Sequence, residues 1–222
     1  MITSHAFTLP VSYRYDLYRP AMTDGTLLLC LHGYGQNKET AMSYGRRIRQ
    51  DWPVAALQAP HPHHLWEQGG KRKTGYSWVS DEAPGEDIAN HHAFLRAVID
   101  RAHEDGLVKR RRAFLFGFSQ AVSLNYRFAA AHPGYVSGIV AVAGATPSSW
   151  AASPPSLGDL PVLHIMTRED AAYPPERALA FYAALERFTS ALSWHELAGN
   201  HRVPRAAYPI IKGWLDRHED AY

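Results

Sequence analysis

The sequence predicts an α/β fold with a mostly parallel central sheet. Six short apolar runs are bounded by turn residues, as buried strands are, and helical patterns separate most of them. The candidate strands are 27–31, 54–57, 113–116, 138–142, 162–166 and 192–197. The candidate helices are 39–50, 87–103, 120–131, 175–187 and 204–217. This alternation favours helices on both faces of the sheet and ligand sites beyond the carboxyl ends of the strands.

The chain before the first parallel strand has a different pattern. Segments 5–9 and 11–17, joined through Pro10, predict an antiparallel hairpin at the N-terminal edge of the sheet. Segment 60–84 is the longest stretch without a regular pattern, and the other connections are close to the minimum length. We therefore expect a single domain over residues 1–222, with no inserted lid domain.

The composition argues against several classes of function. Hydrophobic residues make up 46% of the chain and charged residues 20%, and no apolar run is long enough for stable membrane insertion. The net charge of +2 is too small to indicate nucleic-acid binding. We interpret the basic run 109–112 as a solvated turn, with a phosphate or membrane contact as the alternative. The N-terminus lacks a secretory signal pattern, which predicts a cytoplasmic protein. The single cysteine, Cys30, is expected in the core.

The motif Gly-Phe-Ser-Gln-Ala at 117–121 places Ser119 on a sharp turn between a predicted strand and a predicted helix. Such a turn exposes a nucleophile when small residues stand two positions before and after it, as Gly117 and Ala121 do here. An ordinary helix N-cap is the alternative interpretation of the same serine. A nucleophile also requires a histidine and an orienting carboxylate, because a serine hydroxyl reacts poorly until a base removes its proton.

Three other segments provide the remaining groups of such a site. A glycine-containing loop, Leu-His-Gly-Tyr-Gly at 31–35, follows the first parallel strand, and we expect the N–H groups of Tyr34 and Gln120 to bind a developing oxyanion. Asp170, with adjacent Glu169 as the alternative, is expected to orient the histidine. His201 follows the last strand and is expected to act as general base and then general acid.

The order serine, aspartate, histidine is typical of α/β-hydrolases. The motifs together resemble the phospholipase/carboxylesterase family of that fold, which includes acyl-protein thioesterases. The quoted segments are Leu-His-Gly-Tyr-Gly-Gln-Asn at 31–37, Gly-Phe-Ser-Gln-Ala at 117–121, Asp-Ala-Ala-Tyr-Pro at 170–174 and Gly-Asn-His at 199–201. The resemblance spans roughly residues 25–217 and implies an α/β-hydrolase fold with a Ser119, Asp170 and His201 triad.

Two positions depart from the family pattern. The Gly-Gly that follows Ser-Gln in the family is Ala121-Val122 here, and the His-Gly shortly before the acid is Met166-Thr167. The first departure affects the turn that carries the nucleophile, and the second affects the choice between Asp170 and Glu169.

The resemblance also implies that Trp78 lines a pocket for the acyl or alcohol part of a substrate. The aromatic residues Trp66, Tyr76, Trp150 and Tyr34 are further candidates, with plain packing between loop and sheet as the alternative. Without a lid the site should be open, which favours small or medium esters. The basic run 71–73 would favour acidic or phosphate-bearing esters such as lysophospholipids if it borders the site, and a solvated loop tip is its alternative.

Histidines cluster at 61–64 and at 91–92, but no cysteine pair accompanies them, and zinc sites need three or four converging ligands. We therefore expect no metal and no cofactor. The sequence predicts a serine hydrolase for small-molecule esters or thioesters. A non-catalytic binding protein on the same fold and a peptidase or amidase are the alternatives. The oligomeric state stays open, with a homodimer among the options.

Overall fold

The computed structural model describes residues 3, 11–66, 70, 72–109, 112–150 and 155–219, which form nine strands and five α-helices. The strands are β1 (Tyr15–Tyr18), β2 (Leu27–Leu31), β3 (Val54–Leu57), β4 (His61–Trp66), β5 (Arg72–Ser77), β6 (Ala113–Phe118), β7 (Gly138–Val142), β8 (Val162–Thr167) and β9 (Leu192–Leu197). The helices are α1 (Lys38–Ile48), α2 (Pro84–Glu104), α3 (Gln120–Ala131), α4 (Pro175–Phe188) and α5 (Ala207–His218). All six predicted parallel strands and all five predicted helices are present.

Seven strands form the central sheet in the order β1-β3-β2-β6-β7-β8-β9. β1 pairs with β3 in antiparallel orientation, and every other neighbouring pair in this sheet is parallel. The mostly parallel sheet with an antiparallel N-terminal edge is therefore confirmed. The other half of the predicted N-terminal hairpin, segment 5–9, lies outside the described residues.

Both faces of the sheet are covered by helices, as predicted. Successive residues of β2 point to opposite sides. Leu29 belongs to the core shared with α2, α3 and α4, while Leu28 and Cys30 belong to the core shared with α1 and α5. Burial raises the pKa of the Cys30 thiol, which makes it an unreactive core residue. Among the described residues, no helix has the length and apolar character that crossing a membrane requires.

The prediction that segment 60–84 is irregular is wrong. β4 and β5 pair as an antiparallel ribbon, with His61 opposite Ser77 and Trp66 opposite Arg72. An isolated bridge between Gln36 and Tyr76 joins the ribbon to the loop after β2. Because a two-stranded ribbon at the surface needs no apolar run, its polar sequence does not have the pattern of a buried strand.

Candidate active site

Ser119 lies between β6 and α3 in a backbone conformation that residues other than glycine rarely adopt. Its φ of 55° and ψ of −116° place the side chain on the predicted sharp turn. The side chain makes no capping hydrogen bond with α3. Instead, the Ser119 hydroxyl donates to Nε2 of His201 across 2.9 Å. Ser119 therefore occupies the N-cap position of α3, but its side chain does not cap the helix.

Glycines around Ser119 let separate segments of the chain approach each other closely. A Cβ atom at Gly117 would lie 2.7 Å from Nδ2 of Asn125, and one at Gly33 would lie 2.7 Å from the Phe118 ring. Both distances are too short for a real contact, so a side chain at either position would displace its neighbours. Gly33 thus allows the loop after β2 to reach the serine turn.

Val122, one of the departures from the family pattern, is accommodated by a glycine on another loop. Val122 is fully buried behind the serine turn, and Gly144 follows β7. A Cβ atom at Gly144 would lie 2.4 Å from Cβ of Val122. The Val122 side chain therefore occupies space that Gly144 leaves empty, and the bulk at this position does not prevent the turn from forming.

Gly144→Ala is expected to lower the free energy of unfolding by about 2 kcal/mol, because the added methyl group overpacks against Val122. The penalty should be smaller by about 1 kcal/mol in a Val122→Gly background, which removes part of the clash. The carbonyl of Ser119, 2.7 Å from the added Cβ atom, limits this relief. Urea unfolding of the single and double variants measures the coupling.

Gly85→Ala is the matched control for this prediction, because a Cβ atom at Gly85 meets no atom within 4 Å. It should leave the free energy of unfolding nearly unchanged or slightly raised. If Gly144→Ala lowers the free energy of unfolding equally in the wild-type and Val122→Gly backgrounds, contact with Val122 does not cause the destabilisation.

Asp170 and His201 lie on the loops that follow β8 and β9. The Nδ1–H of His201 donates to Oδ2 of Asp170 across 2.8 Å. The other oxygen, Oδ1, accepts hydrogen bonds from the backbone N–H groups of Ala172 and Tyr173, both at 2.9 Å. Because Asp170 is only 2% exposed, these contacts hold its carboxylate in one orientation toward the histidine.

Thr167 supplies a further hydrogen bond to Asp170 that the sequence analysis missed. Its buried hydroxyl donates to Oδ2 of Asp170 across 3.1 Å. Thr167 is one of the two residues at which the chain departs from the family before the acid. A hydroxyl residue three positions before an aspartate at a strand end is the signal that could have identified this contact.

Glu169, the alternative acid, points to a different partner. Its exposed carboxylate accepts a hydrogen bond from the N–H of Gly199. In the described part of the chain, no hydrogen bond or ion pair joins Glu169 to His201. The geometry therefore favours Asp170 as the partner of the histidine.

The N–H groups of Tyr34 and Gln120 have no hydrogen-bond acceptor among the described residues. Gln120 is the first residue of α3, where backbone N–H groups lack an acceptor within the helix. The N–H groups on either side of Tyr34 are occupied, since Gly33 donates to Oε1 of Gln36 and Gly35 donates to the carbonyl of Tyr76. Two backbone donors thus remain available on the segments that meet at Ser119.

Hydrogen bonds from two side chains, Gln36 and Trp78, fix the loop that carries Tyr34. Nε2 of Gln36 donates to the hydroxyl of Tyr44 across 3.0 Å, while its Oε1 accepts from Gly33. The indole N–H of Trp78 donates to the carbonyl of His32 across 2.8 Å. Gln36 belongs to the family motif at 31–37, but nothing in the sequence indicated its supporting role.

His32 stabilises the same loop as a neutral ring. Burial lowers its pKa to about 4, so the ring carries no charge near neutral pH. Its Nε2 accepts from the N–H of Ala59 across 3.2 Å, and its Nδ1–H donates to the carbonyl of Gly33 across 2.8 Å.

The aromatic residues predicted to contact substrate fall into two groups. Trp78 and Trp150 are 1% and 7% exposed, and Trp150 packs edge-on against Phe188. Because these rings have almost no exposed surface, they do not line an open pocket as expected. Trp66, in contrast, is 74% exposed at the end of β4, and Tyr76 is half-buried beside the loop that carries Tyr34.

Tyr173 reaches the site although the sequence analysis assigned it no role. Its ring lies 5.7 Å from the ring of His201. Burial raises the pKa of the Tyr173 hydroxyl, and its interaction with the Ser119 side chain opposes that shift. Its position three residues after Asp170, in the family's Asp-x-x-Tyr-Pro motif, is the signal that could have identified it.

The two histidine clusters differ in their contacts. The rings of His91 and His92 pack edge-on against Trp78 and Phe128, at 5.4 and 5.6 Å. His61 pairs with Asp87 across 2.8 Å, and the ring of His63 stacks on Tyr34 at 4.5 Å. The described part of the chain contains no group of three or more His, Cys, Asp or Glu side chains that could hold a metal ion.

Comparisons with known proteins show the family to which the chain belongs. The family model described as phospholipase/carboxylesterase matches residues 18–218. A search of curated protein sequences finds no significant match. The Bacillus cereus carboxylesterase structure is 16% identical, with a TM-score of 0.73 over 93% of this chain and 94% of that chain. The structure of esterase PE8 is 20% identical, with a TM-score of 0.73 over 94% of this chain and 100% of that chain.

Acyl-protein thioesterase 2 from Zea mays is a third neighbour, 17% identical, with a TM-score of 0.69 over 93% of this chain and 99% of that chain. At these identities the structural likenesses show a shared fold. The family model, however, covers nearly the whole sequence, including every strand and helix from β2 to α5. The chain therefore belongs to the phospholipase/carboxylesterase family of the α/β-hydrolases.

Proposed function

We propose that this protein hydrolyses small carboxylic esters or thioesters through an acyl-enzyme formed on Ser119. The observation that carries the proposal is the continuous hydrogen-bonded chain from Ser119 through His201 to Asp170, at 2.9 and 2.8 Å. Membership of the phospholipase/carboxylesterase family and the likeness to carboxylesterases and a thioesterase support this substrate class.

In the first half of the reaction, the Ser119 oxygen attacks the carbonyl carbon while Nε2 of His201 removes the hydroxyl proton. His201 then gives that proton to the leaving alcohol or thiol, and the acyl group remains on Ser119. In the second half, a water molecule attacks the acyl group and transfers its proton to the same nitrogen. The acid is released, and the proton returns to the Ser119 oxygen.

Asp170 contributes by keeping the proton of His201 on Nδ1, so that Nε2 is free to act as the base. Its negative charge also stabilises the imidazolium that forms when His201 is protonated. The hydrogen bonds from Ala172, Tyr173 and Thr167 prevent the carboxylate from turning away.

The N–H groups of Tyr34 and Gln120 stabilise the negative charge that develops on the carbonyl oxygen of the substrate. Preorganised donors of this kind contribute on the order of 3 to 4 kcal/mol each to transition-state stabilisation. The N–H of Gln120 lies at the N-terminus of α3, where the helix dipole also favours negative charge.

Labelling with a fluorophosphonate probe tests the proposal, because such probes react with a serine that a neighbouring base activates. The wild-type protein should form one adduct, which peptide mass spectrometry should locate at Ser119. A protein that remains unlabelled would support the alternative of a non-catalytic binding protein. Faster turnover of a p-nitroanilide than of the matching p-nitrophenyl ester would instead support an amidase.

A further inference from the structure

A groove of about 660 Å³ opens between α3, α4 and the loop that follows β7. Tyr173 lines this groove and also interacts with the Ser119 side chain. Ser123, four residues and about one helical turn beyond Ser119, lines it as well. Tyr173 therefore belongs both to the groove and to the surroundings of the serine proposed to react.

Three arginines line the groove, and no aspartate or glutamate is found among its described lining residues. Arg127 lies on α3, and Arg177 and Arg187 lie on α4. None of the three forms an ion pair with a carboxylate in the part of the chain that the structure describes. The described lining of the groove thus carries three positive side chains and no negative one.

The hydrogen bonds of these arginines leave most of their donors available. Arg127 donates to the Ser149 hydroxyl across 3.1 Å, and Arg177 donates to the carbonyl of Ala172 across 3.5 Å. A guanidinium has five N–H donors in a fork that matches carboxylate and phosphate oxygens. Arg127 is half-buried, and burial lowers its pKa, which shows that part of its hydration has been lost. A bound anion would compensate for that loss.

The spacing along α3 brings this charge close to the reaction centre. Arg127 lies eight residues beyond Ser119, which corresponds to about 12 Å along the helix axis. Helical side chains lean toward the helix N-terminus, which favours a guanidinium position on the Ser119 side of the Arg127 backbone. A substrate of moderate length could therefore reach Arg127 with one end while its carbonyl carbon is at Ser119.

We propose that this groove selects esters that carry a carboxylate or phosphate less than about 12 Å from the reacting carbonyl carbon. The inference rests on the proposed hydrolase function and specifies that the preferred substrates are negatively charged. It also differs from the expectation for the basic run 71–73. Arg72 and Lys73 are exposed on β5 and do not line this groove, and Lys71 lies outside the described residues.

The test compares kcat/KM within matched pairs of esters at low ionic strength, where charge interactions are least screened. To test a charge on the acyl part of the ester, the p-nitrophenyl monoester of suberic acid is paired with p-nitrophenyl octanoate. For charge on the alcohol, 6-acetoxyhexanoate and 6-acetoxyhexyl phosphate are each compared with hexyl acetate. The wild-type enzyme should favour the charged member on at least one side. The preferred ester will identify the side, and on the alcohol side it will also distinguish a carboxylate from a phosphate.

The double variant Arg127→Gln/Arg177→Gln should lower the charged-to-neutral ratio about tenfold or more, because it removes two charge-assisted hydrogen-bond donors. Arg177→Gln alone, at an exposed position, should lower the ratio about threefold and does not depend on the folding of the double variant. Arg217→Gln, at an exposed position on α5, removes the same charge elsewhere and should leave the ratio within about twofold.

The inference is overturned if the neutral ester is preferred in every pair, or if the groove variants leave the ratio unchanged while neutral esters are still hydrolysed. Either result would leave the proposed hydrolase function intact. If no ester is turned over and the fluorophosphonate probe does not label Ser119, the hydrolase function itself fails, and this inference fails with it.

Discussion

Ser119→Ala is expected to lower kcat/KM for p-nitrophenyl esters at least about 10⁴-fold. Alanine has no oxygen to attack the carbonyl carbon or to hold the acyl group, so the proposed covalent pathway is lost. His201, Asp170 and the backbone donors remain and can only bind the ester and polarise it. Steady-state hydrolysis measures this loss, and fluorophosphonate labelling of the variant should disappear as well.

Ser43→Ala is the matched control, because Ser43 is an exposed serine on α1. It should hydrolyse the same esters at the wild-type rate. Circular dichroism and thermal unfolding of both variants will show whether the fold is retained. If Ser119→Ala keeps a rate close to that of the wild type, the nucleophile is a different group, and the assignment fails.

Asp170→Asn is expected to lower kcat by about 10⁴-fold. The N–H groups of Ala172 and Tyr173 surround the Oδ1 position and require an acceptor there, so the asparagine oxygen should occupy it. The amide NH₂ group would then face Nδ1 of His201. Because Nδ1 would have to accept a hydrogen bond, the proton would move to Nε2, where it prevents the ring from accepting the serine proton. The Thr167 hydroxyl can rotate to accept from the same NH₂ group, which would stabilise this unproductive arrangement.

Glu169→Gln is the control for the choice of acid, and kcat should change by less than about threefold. Glutamine keeps an oxygen that can accept the hydrogen bond from Gly199, and the side chain is exposed. Rates of both variants with a saturating p-nitrophenyl ester decide between the two carboxylates. A large loss in Glu169→Gln together with a small loss in Asp170→Asn would reverse the assignment.

Much of the fold could be predicted because its strands and helices are encoded locally. The bounds of β2, β3, β7, β9 and α3 agree with the sequence patterns at every residue, and the other predicted elements differ by at most three residues at an end. Strands buried on both faces must be continuously apolar, and helices covering them must be apolar on one side. Those two constraints are visible in the sequence.

The β4–β5 ribbon and the burial of the tryptophans could not be predicted in the same way. The ribbon has polar residues and gains its pairing from backbone hydrogen bonds and from its attachment at Gln36. The sequence around Trp78 does not distinguish a ring that contacts substrate from a ring that supports a loop. Its buried position depends on the His32 carbonyl, which lies 46 residues earlier in the chain.

The sequence alone determined the class of fold, the loops at the carboxyl edge of the sheet and the three candidate side chains Ser119, Asp170 and His201. Chain order and strand ends carry that information, because parallel strands bring their carboxyl ends to one edge. Three features are visible only in the folded chain: the contact of His201 with Asp170 rather than Glu169, the packing of Val122 against Gly144, and the grouping of three arginines along one groove. Each of these depends on the direction and packing of side chains from segments far apart in the sequence, which no local pattern specifies.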